Sequence, residues 1–418
     1  MRSGPAARTG GTLRSASRPR RREGASILSE AELFGAQNLP YGSAIWPDGR
    51  RHVVVRVGSS VLSLTAATAA RAPELAHLFA DGSLDPLLAA GRPTWTEVRE
   101  VVAAWLADGA AQQYAAGLAD VRLVLAFTVA DYVDFYASEQ HASNIGRLFR
   151  PGEQPLKPNW KYLPVGYHGR AGTVVVSGTA LHRPRGQTRR ADGTVAFGPT
   201  RQLDIEAEVG FVVGTGSSLG EPVPLADFAE HVFGVCLVND WSARDIQAWE
   251  YVPLGPFLGK SFATSVSAWI TPLDSLIAAR VAPPLRNPPV LAYLDDTAHP
   301  WGLDIAIEVW LNGQLISRPP FATMYWTPAQ MLAHLTVNGA SLRPGDLFAS
   351  GTVSGTRADE RGSLLELTWG GAEPLTLDDG TTRTFLQDGD EVVLSATAPA
   401  PGGGRIGLGE VRGRVSPA

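Results

Sequence analysis

Cysteine is nearly missing from this chain: Cys236 is the only one in 418 residues. A single thiol forms no intrachain disulfide and no thiolate metal cluster, so neither a disulfide-stapled secreted module nor a zinc ribbon fits. No apolar run reaches the roughly 18 residues that would span a bilayer. The Arg-rich N-terminal tail lacks the apolar core of a secretory signal. Positive excess is missing too. The net charge is −5 and the pI about 5.9, which argues against a nucleic-acid-binding body. These absences point to a cytoplasmic, soluble protein. Lysine is scarce as well. Only Lys157, Lys161 and Lys260 break the use of arginine among 36 basic residues, so each lysine draws notice.

What is present is a composition rich in turns and in core. Hydrophobic residues make up 44% and charged ones 18%, enough to bury a large interior, and the length suits two to three domains. Forty-five glycines and 31 prolines predict many turns and a β-rich α+β fold. Residues 1–26 form an Arg-rich leader with no apolar period, read as disordered. Such a leader can also be an organelle transit peptide, although it lacks an amphipathic period.

A first unit is expected over 27–122. His52–Val57 and Val61–Leu64, joined at Gly58-Ser59-Ser60, read as a β-hairpin. Thr94-Trp-Thr-Glu97 reads as a capping box opening a helix through Val98, Val101, Val102 and Trp105. From 123 to 418 strands and turns dominate. Val232–Val238 is an apolar run suited to a strand covered on both faces. Thr327-Pro-Ala-Gln330 opens a helix that ends at Asn338-Gly339. The Pro-rich stretch 283–300 is a connector. Gly214–Gly220 has the wrong spacing for a dinucleotide loop, and Pro222 and Pro224 stand where its helix would begin.

Acids supply the first hint of chemistry. Leu203–Val213 alternates, with Asp204, Glu206 and Glu208 on one side. Glu206 and Glu208 then lie about 7 Å apart and repel unless positive charge sits between them. With Asp134 and Asp240 they make a hard-oxygen set suited to Ca²⁺ or Mg²⁺. The same alternation also suits an ordinary strand with one wet face. Lys260 lies in the apolar, turn-rich Gly255–Phe262, where a buried ammonium would need an anionic partner; a surface loop lysine is the plainer reading. Ser138–Phe149 can form a helix that puts His141 on one face with Ile145 and Leu148, either as a core histidine or as a base. Glu366, in the strand-like Leu364–Trp369, is a candidate to orient it. Arg244, Gln247 and Tyr251 make a donor-rich side of a helical turn, suited to a carboxylate or ketone.

Longer blocks carry a resemblance. Asp131–Tyr136, Gln140-His-Ala142, Asn159-Trp160, Leu163–Arg170, Asn239–Gln247, Trp249–Phe262, Arg343–Leu347 and Asn38–Gly42 closely resemble the fumarylacetoacetate hydrolase family from about residue 34 onward. The resemblance implies a small N-terminal SH3-like β-barrel, a larger C-terminal mixed β-sandwich or roll, and a homodimer. It implies hydrolysis of the C–C bond of 4-fumarylacetoacetate to fumarate and acetoacetate, which ends tyrosine and phenylalanine degradation. It implies Asp134, Glu206, Glu208 and Asp240 as Ca²⁺ ligands, and Asp240, Lys260 and Thr264 around Mg²⁺. An ammonium has no lone pair for a cation, so Lys260 is read as a nearby charge. By the same resemblance Tyr136, Arg150, Tyr167, Gln247, Tyr251 and Thr352 touch substrate. His141 is the base and Glu366 orients it; on chemical grounds Arg244, Gln247 and Lys260 supply donors for an oxyanion formed at the attacked carbonyl. Two positions depart from the family pattern: Ala263 replaces a glycine before Thr264, and Glu139 replaces a basic residue. Two rivals stand beside this reading. One is a related acylpyruvate-type diketone hydrolase or decarboxylase; the other is a Ca²⁺-binding module without turnover.

Overall fold

The computed structural model describes residues 29–418, so the leader 1–26 lies outside the described residues. The fold is sheet-rich α+β in two units. In the first, Tyr41–Ile45, Arg51–Val57 and Ser60–Ser63 form an antiparallel meander, with Ala115–Gly117 and Arg122–Val124 on its edges. The helix Arg92–Asp108 lays Trp95, Val98, Val102 and Trp105 inward, a spacing of three and four residues that keeps them on one face. It begins two residues before the Thr94 cap read from sequence. Gly91 occupies the cap position and Pro93 the first turn, where proline's missing N–H costs nothing.

The second unit is built on two sheets. The larger runs Gly166–His168, Tyr132–Phe135, Leu347–Ala349, Ala207–Val213, Val232–Asp240, Thr264–Val266 and Val174–Val176 in spatial order. The other carries Gln314–Ser317, Ala306–Leu311, Glu391–Pro399, Arg405–Ser416 and Leu181–His182. Val232–Asp240 is buried along its whole length, as its apolar run requires. Val235 and Leu237 pack into the core shared with Val309, Val392 and Val411 of the second sheet. Cys236 and Val238 pack into the core of the first unit, with Tyr41, Val53 and Trp95. Phe233 is an extra residue opposite the Val212–Val213 step, and that bulge turns its ring toward the first unit.

Three local expectations need correction. Leu203–Val213 is not one strand: Leu203–Asp204 pairs with Ser242–Ala243, and the main strand restarts at Ala207. Nor has it a wet face, since Asp204, Glu206 and Glu208 are all buried. Leu364–Trp369 is not a strand. Leu364–Leu367 is a short helix whose cap, Ser363, accepts from the Glu366 amide. Four residues are too few for period 2 and period 3.6 to be told apart in a run of leucines. The Thr327 capping box is present in full, on a helix Pro328–Thr336.

Candidate active site

The site gathers at the ends of the central strands, on the face covered by the first unit. Pleating puts Glu208 on the side of Val212, and Asp240 on the side of Val238 and Cys236. Register brings Asp134 opposite Ala349, and Asp240 opposite Thr264. Glu206, between the two strand segments, belongs to the same group. Carboxylate oxygens of Asp134, Glu206, Glu208 and Asp240 all lie within 4.8 Å of one another, every one of the residues buried.

Some of this charge is met from within. Lys260, buried rather than on the surface, bonds Glu206 and lies 2.8 Å from Asp240 Oδ2. Tyr167 donates to Asp240 Oδ2 at 3.0 Å and Thr264 to Oδ1 at 2.9 Å. Arg244 Nη1 lies 2.7 Å from Glu206 Oε1. The rest is not met. Asp134 Oδ1 and both oxygens of Glu208 are buried with no hydrogen-bond partner among the described residues. Burial, then the neighbouring acids, push Asp134 and Glu208 well above the usual carboxylate range, and burial also raises Asp240. Glu206 goes the other way. Burial would raise it, but Lys260, Arg244 and His141 outweigh that and hold it below its usual range. A buried oxygen cage with orphaned acceptors fits a hard divalent cation, whose charge would let all four acids ionise.

Beside this cage stands the imidazole. Ser138 caps the helix Glu139–Phe149 by accepting from the His141 amide, and the helix turns His141 inward. Its Nδ1 lies 2.7 Å from Glu366 Oε2. Its Nε2 faces the cage, 4.0 Å from Glu206 Oε1 and too far for a hydrogen bond. Glu366 is fully buried and itself held by Asn144 (2.9 Å), Ser363 (2.8 Å) and Ser354 (3.0 Å). Burial would raise Glu366, but His141 and these donors together keep it below the usual range. A carboxylate so held accepts Nδ1–H and leaves Nε2 with a lone pair toward the cage.

The remaining expected residues divide. Tyr136 stands edge-on to the His141 ring at 5.3 Å. Gln247 accepts from Arg244 Nη1 at 3.3 Å. Thr352 is buried with its hydroxyl unpartnered, just after Gly351, where φ is +73° and a side chain would strike the Phe135 carbonyl. Arg150 is half-buried, donates to the Pro155 carbonyl at 2.9 Å, and its charge reaches Tyr136. Tyr251 is exposed at the end of the Arg244 helix, outside the buried group. Ala263 does not have positive φ, so alanine there is unstrained. Glu139 pairs with Lys161 at 2.7 Å. The sequence reading missed Asn144, Ser354 and Ser363, and it missed Asp204 as a partner of Arg244 (2.8 Å).

The family model described as fumarylacetoacetate (FAA) hydrolase C-terminal matches residues 131–416, and that described as fumarylacetoacetase N-terminal matches 37–129. The chain belongs to the fumarylacetoacetate hydrolase family. Family relatives named fumarylacetoacetase are similar over nearly the full length. That of Homo sapiens is 43% identical over 412 residues, 94% of this chain and 98% of its own. That of Caenorhabditis elegans is 44% identical over 409 residues, 92% of this chain and 97% of its own. A solved structure named fumarylacetoacetate hydrolase, from psychrophilic Exiguobacterium antarcticum, shares the family fold with TM-score 0.54 at 18% identity, over 91% of this chain and all of that one. No helix among the described residues is long and apolar enough to cross a membrane.

Proposed function

We propose that this chain hydrolyses 4-fumarylacetoacetate to fumarate and acetoacetate, the closing step of tyrosine and phenylalanine degradation. The observation that carries the reading is the convergence of a carboxylate-held imidazole on a cage of four buried acids. Near-full-length similarity to relatives named fumarylacetoacetase supports the choice of substrate.

Water must attack a ketone carbon and a carbanion must leave. His141 Nε2 takes the proton from water, and the hydroxide adds to the carbonyl carbon. Glu366 keeps the imidazole in one tautomer and offsets its positive charge; a positioned base of this kind contributes about 10²–10⁴-fold. The carbonyl oxygen becomes an oxyanion, for which Arg244, Gln247 and Lys260 are the donors in reach; one such donor is worth about 3–4 kcal/mol. The C–C bond then breaks. The acyl part leaves as fumarate, and the imidazolium returns its proton to the acetoacetate carbon. Tyr136, Arg150, Tyr167, Tyr251 and Thr352 bind and orient the rest of the substrate.

Asp134, Glu206, Glu208 and Asp240 would hold a divalent cation, Ca²⁺ or Mg²⁺ by their hard oxygens, with Thr264 beside them and Lys260 as a charge rather than a ligand. The chemistry such an ion supplies is Lewis acidity toward the electron-rich oxygens of a diketone.

The domain reading goes with this function: a first unit over 27–122, for which five antiparallel strands support an SH3-like barrel, and a catalytic β-sandwich or roll over 123–418. A homodimer, on the family resemblance, and a cytoplasmic location, on composition, complete it. The test is loss of diketone absorbance, with fumarylacetoacetate and an acylpyruvate run side by side, with and without chelator. Faster loss of the acylpyruvate would shift the substrate. Turnover of neither, with tight cation uptake, would leave a binding module.

A further inference from the structure

Asp204 lies outside the motifs that pointed to the site, yet four donors converge on its buried carboxylate. Oδ1 accepts from the amides of Ile205 and Leu364, each at 2.7 Å. Oδ2 accepts from the Leu365 amide at 3.1 Å and from Arg244 Nε at 2.8 Å. The pairing of Leu203–Asp204 with Ser242–Ala243 sets Asp204 beside the first residue of the Arg244 helix. Its Leu364 and Leu365 partners open the short helix that carries Glu366.

The guanidinium is a rigid planar fork, so fixing two of its nitrogens aims the third. Asp204 holds Nε, and Glu206 and Gln247 hold Nη1. Nη2 is then the one nitrogen of the fork that is buried with no partner among the described residues. The same Asp204 pins the helix whose Glu366 lies 2.7 Å from His141. Donor and base, drawn from distant parts of the chain, are thus keyed to one carboxylate.

We propose that Asp204 is a positioning residue: it locks the Arg244 fork so that Nη2 meets the reacting carbonyl oxygen, in register with the His141–Glu366 pair. The proposal rests on the hydrolytic reading above. Only a carboxylate serves, because an amide has one accepting oxygen and must turn its NH₂ against a donor.

Asp204→Asn keeps one duty in part and breaks the other. Its oxygen can still cap Ile205 and Leu364, while its NH₂ confronts Arg244 Nε and the Leu365 amide. With the cation-loaded enzyme, kcat on fumarylacetoacetate is expected to fall about 10²-fold with KM within about threefold, the pattern of an interaction made in the transition state. Calcium uptake by calorimetry should be unchanged. In an Arg244→Lys background the same change should cost less than about fivefold, since lysine has no fork to aim. An unchanged kcat, or an equal loss in both backgrounds, overturns the proposal. Should the asparagine variant not fold, Asp204→Glu, which keeps the charge on a longer arm, takes its place with the same expected non-additivity. A wild-type chain that leaves fumarylacetoacetate intact sinks the hydrolytic reading but not the lock. The Arg244 Nε–H proton then decides: slow solvent exchange in the wild type and fast exchange in the variant support the lock, and slow exchange in both ends it.

Discussion

Arg286–Asp296 and the four-acid cage are both buried clusters of charge, built to opposite ends. Around Asp296 every group is answered. Arg286 Nη1 lies 2.6 Å from Oδ1 and Nη2 3.2 Å from Oδ2, while Thr327 donates to Oδ2 at 3.0 Å. Arg286 also reaches Gln330 at 2.7 Å and the Tyr325 carbonyl at 3.1 Å, tying the Pro-rich connector to the cap of the Pro328–Thr336 helix. The cage sets four acids against two cations, Lys260 and Arg244, and leaves Asp134 Oδ1 and both oxygens of Glu208 without donors. A satisfied knot holds a fold together. Orphaned buried acceptors lower stability until something arrives to satisfy them, which marks the second cluster as a receptor.

Substitution on each side should keep the two apart. The largest effect belongs to His141→Ala, expected to lower kcat by about 10³-fold, or ~4 kcal/mol in the barrier. Melting temperature and cation uptake should stay near the wild type. Retained turnover would remove His141 from its role as base. Next comes Asp296→Asn, which strands Arg286 and should cost about 3 kcal/mol of stability, read by denaturant melts. Here kcat per folded molecule should hold; a variant that melts normally but turns over slowly would show the knot to be part of the site. Third, cation at a hundredfold over its dissociation constant should stabilise the wild type by about 2.7 kcal/mol. Glu208→Gln should lose that gain while the metal-free variant melts higher than metal-free wild type. A metal-free variant that melts lower would mean that Glu208 is satisfied by something else.

How much of this could be read beforehand depends on how local each feature is. Val232–Val238 and the Thr327 cap announce themselves because burial on both faces and capping are short-range patterns. The cage was half-legible: alternation grouped Glu206 with Glu208, but Asp134, His141, Asp240, Arg244 and Lys260 are brought round them from other parts of the chain, which no local pattern contains. Lys260 stood out by rarity, and only the fold shows it between Glu206 and Asp240. The His141–Glu366 pair joins residues 225 apart, so period and propensity carry no trace of it. Of Asp204, the alternation says only that it shares a side with Glu206 and Glu208; nothing local points to its partners. These are three backbone amides and a guanidinium assembled from three separate stretches.

Acid sharpens the contrast by a smaller margin. Asp134, Glu208 and Asp240 have raised folded values, so in the metal-free protein their protonated forms favour folding. That contribution is complete below their unfolded values and is lost as pH rises through the folded ones. Glu206 and Glu366 are lowered, and their contribution disappears only further into acid. Metal-free protein should therefore melt higher at about pH 5.5 than at about pH 8, by on the order of 1 kcal/mol. Bound cation should reverse that slope, because it prefers the ionised acids. A metal-free slope rising toward alkali would contradict the orphaned-acid account.

The smallest effect tests a third way of placing charge. Glu139 and Lys161 pair at 2.7 Å, but each side chain stays about a third exposed, 32% and 33%. Water already solvates both ions, so Glu139→Ala removes little Coulomb energy and frees two side chains; exposed pairs are worth about 0.2–1 kcal/mol. Its place in the first turn of the His141 helix adds a favourable dipole contact of about 0.3–1 kcal/mol. The sum should stay near 1 kcal/mol and shrink in high salt, with kcat unaltered because Ser138 still caps the helix. A salt-insensitive loss as large as that of Asp296→Asn would move Glu139 into the class of the knot. A drop in kcat without a drop in stability would instead mean that this departure from the family pattern bears on the base itself.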